Sequence, residues 1–338
     1  MLTPQQPIDV LAVGNAIVDV LVHCDDGLLD KFDLKKGTMS LVDAERADEI
    51  YAAIGPGIEI SGGSAANTAT GVASLGGHSA FIGKVRDDEL GDIFRHDLRA
   101  TGVTYDVAAA TAGRETARCL VLVTPDAQRT MATYLGTAGE LRAEDVDPDL
   151  VARSAVTFIE GYLVGLPAAA PALAAAVSTA RREGRRVALT LSDPDWVEAQ
   201  RPAFAALLED VDVVLANESE ACRLTRESDA VGALEALAER YALVAVTCSE
   251  RGAYVTDGSE TLVVPPERVG EVVDTTGAGD LFASGFLLGI ARGLPLADAG
   301  RLGALAAAEA IAHLGARPQV GLAALAQQAG LSLPPRNA

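Results

Sequence analysis

Short apolar runs punctuate the chain, and between many of them hydrophobic residues return every three or four positions. Ile8 to Val13, interrupted only by Asp9 and closed by Gly14, has the continuous apolar character of a strand buried on both faces. Val18, Val20 and Val22 then alternate with Asp19, Leu21 and His23, which predicts a strand with two unlike faces. Thr38 to Val42, Cys119 to Val123 and Thr130 to Tyr134 read as further short strands, the last two joined by a hairpin connection at Thr124-Pro125-Asp126-Ala127-Gln128. Helices are expected over Ala44 to Ala53, entered from Asp43 as N-cap, and over Glu89 to Ala100. From Ala155 onward the two patterns alternate. Val156 to Glu160, Val187 to Leu191, Val211 to Ala216 and Leu243 to Thr247 are the strands, and Ala168 to Glu183, Val197 to Leu208, Glu218 to Arg226 and Ala230 to Tyr241 the helices between and after them.

That rhythm predicts an α/β fold with right-handed crossovers and a parallel sheet sandwiched by helices, its ligands bound beyond the carboxyl ends of the strands. The earlier short strands predict a separate small antiparallel sheet. At 338 residues one large domain with a smaller appendage is expected. The expected division is a core of residues 1–16, 44–104 and 136–338 and a discontinuous β-sheet unit of residues 17–43 and 105–135.

Two glycine turns carry the candidate chemistry. Asp274-Thr275-Thr276-Gly277-Ala278-Gly279-Asp280 follows Val269 to Val273, readable as a short strand, and opens a helix in which Leu281, Phe282, Phe286, Leu287 and Ile290 recur. Amides in the first turn of a helix lack helical partners, and with the positive end of the dipole they can surround a phosphoryl group that Gly277 and Gly279 let approach. Asp280 would repel that anion, which makes sense if it accepts the proton of an alcohol attacking a terminal phosphoryl group. Complementing the helix dipole is the plainer role. The second turn, Ser61-Gly62-Gly63-Ser64-Ala65-Ala66-Asn67, also runs into a helix, with the Asn67 amide one turn inside. Together with Asn15 and Asp19 it could hydrogen-bond vicinal hydroxyls of a sugar; a turn Asn, a solvent-facing Asp and a packing loop are the plainer alternatives.

Composition narrows the ligands. A net charge of −20 argues against nucleic-acid and anionic-membrane partners, so an anionic nucleotide must find locally positive ground such as a helix mouth. An apolar fraction of 49% suffices for a large core and excludes a disordered chain. Cys24, Cys119, Cys222 and Cys248 are far apart with no C-x-x-C, as isolated thiols in a reducing compartment would be. Met1 to Gln6 is polar, Ile8 to Val13 is too short for a secretory apolar region, and alanine-rich stretches such as Pro167 to Ala180 hold no 18-residue strongly apolar run, so a cytoplasmic location is expected.

Asp274 to Asp280 followed by Phe282 to Phe286 closely resembles the C-terminal signature, Asp-Thr-x-Gly-Ala-Gly-Asp and Phe-x-Ser-Gly-Phe, of the PfkB, or ribokinase-like, carbohydrate and nucleoside kinases. Gly14-Asn15 with Asp19, Gly62-Gly63-Ser64 with Asn67, and Gly83 to Gly91, where Arg86 replaces a glycine, resemble the adenosine-kinase branch; ribokinases proper tend to have Gly-Ser at the first place and Lys at Ser64. The resemblance spans nearly the whole chain, Ile8 to Leu322, and implies a ribokinase-like core with the small sheet as a lid, in a monomer or a homodimer formed through the lid. It implies Asp280 as general base and Gly277, Ala278 and Gly279 as anion hole. Asn15, Asp19, Gly62, Gly63, Ser64 and Asn67 would surround the acceptor, with Tyr162 and Trp196 near its base and Arg129 near the phosphoryl groups. Toward ATP it places Asn217, Thr247, Ser249, Gly252, Thr275, Gly277 and Gly279. Asn217 to Glu220 matches an Asn-x-x-Glu motif that would place Mg²⁺ at Glu220 through water, a reading compatible with a simple capping box. Backbone carbonyls near Asp274, Thr276 and Gly315 would bind a monovalent cation such as K⁺. The implied activity is transfer from ATP to the 5′-hydroxyl of a nucleoside, adenosine foremost; a free sugar such as ribose or fructose is the alternative acceptor.

Overall fold

The computed structural model describes residues 6–126 and 128–335, so Met1 to Gln5 of the polar start and Ala127 of the hairpin connection lie outside the described residues. In chain order the strands are β1 (Ile8–Val13), β2 (Ile17–His23), β3 (Met39–Leu41), β4 (Ile58–Gly62), β5 (Ser79–Ile82), β6 (Ala117–Val123), β7 (Arg129–Tyr134), β8 (Ser154–Glu160), β9 (Arg186–Thr190), β10 (Val213–Asn217), β11 (Leu243–Thr247), β12 (Ala253–Thr256) and β13 (Thr261–Val264). An eight-stranded sheet runs β13-β12-β11-β10-β9-β8-β1-β5. It is parallel from β5 to β11, and β12 and β13 close one edge antiparallel. Helices on both faces leave its central strands no exposed side, which is why β1 is apolar at nearly every position. Val10 and Ala12 enter one apolar cluster while Ile8, Leu11 and Val13 enter the other.

The small sheet has the order β3-β7-β6-β2-β4. Its β6–β7 hairpin and the β2–β4 pair are antiparallel, whereas β2 pairs β6 and β3 pairs β7 in parallel. Only the hairpin is forced antiparallel by a short connection; the chain leaves for the core between β2 and β6 and returns in the same direction. β4 joins from the stretch leading into the Gly62-Gly63 turn, a strand too short to stand out in the sequence. Val20, Val22, Leu120 and Leu122 cover one face, packed against Leu29, Phe32 and Ile50 of the helical segment that follows β2 and β3. Cys119, Val121, Val123, Ile17 and Met131 lie on the other.

Two expected elements differ. Val269 to Val273 forms no strand: Val272 is 66% exposed, and the Val273 amide bonds at 2.8 Å to the carbonyl of Ile311, at the end of the Leu296–Ala310 helix, with no strand edge beside it. The helix expected over Val197 to Leu208 is broken at Gln200 into Pro194–Ala199 and Arg201–Leu208, because Pro202 lacks the amide that would continue the ladder.

The Ala278–Ala291 helix is buried from Leu281 to Ile290, so it is apolar all round. It packs against the Ser64–Ser74 helix at Gly71, where a Cβ would come within 2.4 Å of Ser284 Oγ, and against the Leu296–Ala310 helix at Gly285. These close crossings bring the two glycine turns face to face. A Cβ at Gly285 would lie 2.5 Å from the Leu302 carbonyl oxygen, a backbone atom that cannot step aside. Gly285→Ala is therefore expected to lose about 1–3 kcal/mol in urea unfolding; an unchanged midpoint would show that the crossing is loose.

Candidate active site

The carboxyl ends of β1, β8, β9, β10 and β11 deliver Asn15, Glu160, Thr190, Asn217 and Thr247 to the wall of one cavity of about 350 Å³. Asp19, Gly63, Ser64, Asn67, Tyr162, Trp196, Glu220, Thr276, Gly277, Gly279 and Asp280 also line it. The two turns touch directly across this space. Ser64 Oγ donates to Asp280 Oδ1 at 2.6 Å, Asn67 Nδ2 donates to Oδ2 at 2.9 Å, and Thr68 Oγ1 donates to the Asp280 carbonyl at 3.1 Å.

Gly277 is the N-cap of its helix at φ +78°, and a Cβ there would come within 2.5 Å of the Ala316 Cβ, so both conformation and packing require glycine. Among the described residues nothing comes within 4 Å of a Cβ position at Gly279. The Ala278 amide makes a long bond of 3.3 Å to the Thr275 carbonyl, and the helical ladder starts with Leu281 to Gly277 at 2.8 Å. The amides of Gly279 and Asp280 are those the helix leaves to an outside acceptor.

On the acceptor side Asn15 is fully buried and donates from Nδ2 to Glu160 Oε1 at 2.6 Å. Glu160 Oε2 takes the amides of Asn15 at 3.3 Å and Ala65 at 3.0 Å. Asn15 Oδ1 and Asn67 Oδ1 are buried with no donor among the described residues, two acceptors suited to ligand hydroxyls. Gly63, at φ +91°, and Gly62 allow the close approach of Asn15 and Asp19: a Cβ at Gly62 would overlap the Asp19 carboxylate at 2.2 Å. Gly62 lies beneath Asp19 rather than on the cavity wall.

On the nucleotide side Asn217 and Glu220 form the expected capping box, with Asn217 N and Nδ2 donating to Glu220 at 3.0 and 2.6 Å. Asp274 accepts from Thr276 N at 3.0 Å and Gly315 N at 2.8 Å, which gathers the three residues expected around a monovalent cation. Arg129 of β7 reaches this turn: it pairs with Asp274 and donates to Thr276 Oγ1 at 2.8 Å, tying the small sheet to it. Ser249, Gly252 and Thr275 are not part of the cavity lining. Gly252, at φ +85°, turns the chain into β12, and a Cβ there would collide with the Val264 carbonyl at 2.0 Å.

Asp19 and Asp280 open onto the cavity, yet their carboxylates lie deep enough for desolvation to act. It pushes Asp19 up to about 7; Arg317 and Arg129 draw it down and Asp280 adds to the rise. Desolvation also raises Asp280, opposed by the bonds from Ser64 and Asn67 and by Arg317. Glu160 and Glu220 are each pushed up to about 7 by burial, against the hydrogen bonds they accept. Neither Glu160 nor Arg317 was among the residues expected here. Glu160 stands at the end of an apolar run before Gly161, the place in β8 that Asn217 holds in β10, and that position was its available signal. Arg317 sits in an irregular loop with none.

Residues 49–320 match the family model for pfkB family carbohydrate kinase. The chain is 32% identical over 333 residues to the adenosine kinase of Schizophyllum commune, covering 90% of this chain and 95% of that protein. The crystal structure of adenosine kinase from Sinorhizobium meliloti superposes with a TM-score of 0.91 at 48% identity, covering 96% of this chain and 100% of that one. The crystal structure of a probable sugar kinase protein from Rhizobium etli does so at 0.92 and 48%, covering 96% and 99%. Together these findings define a phosphotransferase with an alcohol acceptor. The chain belongs to the pfkB family of carbohydrate kinases.

Asp19 tests the electrostatics separately from any activity. The folded chain keeps a proton on Asp19 up to about 7, whereas the unfolded chain releases it near 3.8, so this group weakens the fold as pH rises through that interval. Asp19→Asn is expected to melt higher than the parent at pH 8, on the order of 2–4 °C, with the difference fading toward pH 4. Equal melting temperatures at pH 8 would contradict the placement of that charge.

Proposed function

We propose that the chain is an ATP-dependent nucleoside kinase that phosphorylates the 5′-hydroxyl of its acceptor, adenosine to AMP being the favoured reaction. The observation that carries this reading is the contact of Asp280 with Ser64 and Asn67, which joins the acid of the phosphate-type turn to the hydroxyl-reading loop. An acceptor hydroxyl entering there displaces one of those donors and gives its proton to Asp280, whose desolvation strengthens it as a base. The free Gly279 amide, with that of Ala278 once its long bond to Thr275 loosens, receives charge on the transferred group. Asp19, Asn15 Oδ1 and Asn67 Oδ1 take the sugar hydroxyls.

Glu220 fits a role in holding Mg²⁺ through water, since each of its oxygens accepts only one bond from Asn217 and keeps a lone pair at the cavity wall. Among the described residues no three His, Cys, Asp or Glu side chains are grouped to cage a metal, so phosphate oxygens and water would complete the shell. Bound there, the ion neutralises charge on the nucleotide phosphates. We assign a monovalent cation such as K⁺ to the carbonyls of Asp274, Thr276 and Gly315.

A nucleoside is favoured over a free sugar because Ile17, Met39, Leu41, Cys119, Met131 and Leu135 give the cavity an apolar wall beyond what a sugar needs. Tyr162 and Trp196, anchored to the carbonyls of Ser192 and Val164 at 3.2 and 3.0 Å, would flank the base. We read residues 17–43 and 105–135, extended by β4, as a lid that Arg129 ties to the phosphate turn. One lid face is covered by the chain's own helical segments, which favours a monomer over a dimer formed there. Among the described residues no helix is long and apolar enough to cross a membrane, and a cytoplasmic location goes with ATP use and four free cysteines.

Asp280→Asn is expected to lower kcat by about 10³-fold while acceptor affinity, measured by titration, stays within a few-fold of the parent; near-parental turnover would eliminate the base assignment. In a coupled ADP-release assay, adenosine should exceed ribose and fructose in kcat/KM by at least about tenfold. A preference for either sugar would establish the alternative acceptor.

A further inference from the structure

Arg317 lies in an irregular loop outside both glycine-turn motifs, yet its guanidinium grips the acceptor loop from behind. Nε donates to the Ser61 carbonyl at 3.0 Å, Nη2 to Ser61 Oγ at 3.2 Å, and Nη1 to the Ala66 carbonyl at 3.0 Å and to Thr70 Oγ1. Ser61 lies in β4 opposite Val18, the neighbour of Asp19. Ala66 and Thr70 belong to the Ser64–Ser74 helix that holds Asp280 through Ser64 and Asn67. The two preceding residues grip the other turn. Gly315 N donates to Asp274 Oδ2 at 2.8 Å, and Ala316 fills the space against Gly277 that a Cβ would need. Three consecutive residues thus span the nucleotide-side turn and the acceptor-side loop.

Charge points the same way. The carboxylates of Asp19, Glu160 and Glu220 face Asp280 around the cavity, with the Tyr162 phenol beside them; Arg317 opposes the rise of Asp280, and Arg317 and Arg129 both oppose that of Asp19. Desolvation brings Arg317 itself down to about 10, with Asp19, Asp280 and Asp97 restoring part of its proton affinity. We propose that Arg317 is a positioning residue for phosphoryl transfer: it fixes the acceptor loop, and with it Asp19 and the partners of Asp280, against the nucleotide turn, and sets a positive charge behind them. This rests on the reading of Asp280 as the base.

The test is the pH dependence of kcat and of the acceptor KM, from pH 5 to 9, for the full chain and its Arg317→Gln and Arg317→Lys variants. Loss of the charge in Arg317→Gln should move the acidic limb of kcat upward by about one pH unit. Arg317→Lys should leave the limb in place and raise the acceptor KM by about tenfold, since an ammonium cannot reproduce the fork onto Ser61 and Ala66. A limb in Arg317→Gln that coincides with the parent's overturns the proposal, as does an equal shift in both variants. If Arg317→Gln does not fold by circular dichroism, Arg317→Lys decides: an unmoved limb with raised KM supports the proposal, and a moved limb or unchanged KM overturns it. Asp280→Asn is measured in parallel. Turnover retained there would overturn the base reading and this proposal together, whereas turnover lost there while the Arg317→Gln limb stays put would overturn this proposal alone.

Discussion

The carboxylate of Asp280 is wedged between two helix N-termini and held by a hydroxyl from one side and an amide from the other. An acid belongs in the first turn of one helix for dipole reasons alone. What makes this one different is that the second helix supplies its hydrogen bonds, so neither turn can move without the other. Much of the surrounding structure serves that meeting. The Gly71 and Gly285 crossings set how closely the helices approach, the parallel sheet brings Asn15, Glu160 and Asn217 to the same edge, and the positive-φ glycines at 63 and 277 let the backbone pass without side chains between.

Such a meeting is electrostatically expensive. Asp19, Glu160, Glu220 and Asp280 share a cavity, each with its proton affinity raised by desolvation. Glu160 is answered by three hydrogen bonds and Glu220 by a capping box, both from neutral donors. Asp280 is answered by the neutral donors of Ser64 and Asn67 with Arg317 behind them, whereas Asp19 is answered by charge at a distance, from Arg317 and Arg129. Answering Asp19 with charge rather than with hydrogen bonds keeps its oxygens available to a ligand, at a cost in stability that a site of this kind commonly carries.

Much of this arrangement is legible in the sequence. Strands such as Ile8–Val13 and Leu243–Thr247 announce themselves because burial on both faces demands uninterrupted apolar residues. The two glycine turns were legible because a helix mouth with glycines has few purposes. Strand β4 was not, since a five-residue strand that ends on the first glycine of a pair looks like part of the loop, and Val269 to Val273 misled because apolar residues suffice for a strand only where an edge is free to receive them. The roles of Glu160 and Arg317 depend on contacts 95 and 256 residues away in sequence, to Ala65 and Ser61, which no local pattern encodes.

A crystal structure of the chain with adenosine and a non-hydrolysable ATP analogue bound together tests most directly whether Asp280 takes the acceptor proton. The 5′-oxygen is expected within about 2.6–3.2 Å of an Asp280 carboxylate oxygen, with the terminal phosphoryl against the Gly279 amide. A complex in which Asp280 keeps both Ser64 and Asn67 while the 5′-oxygen lies beyond hydrogen-bond reach would contradict it.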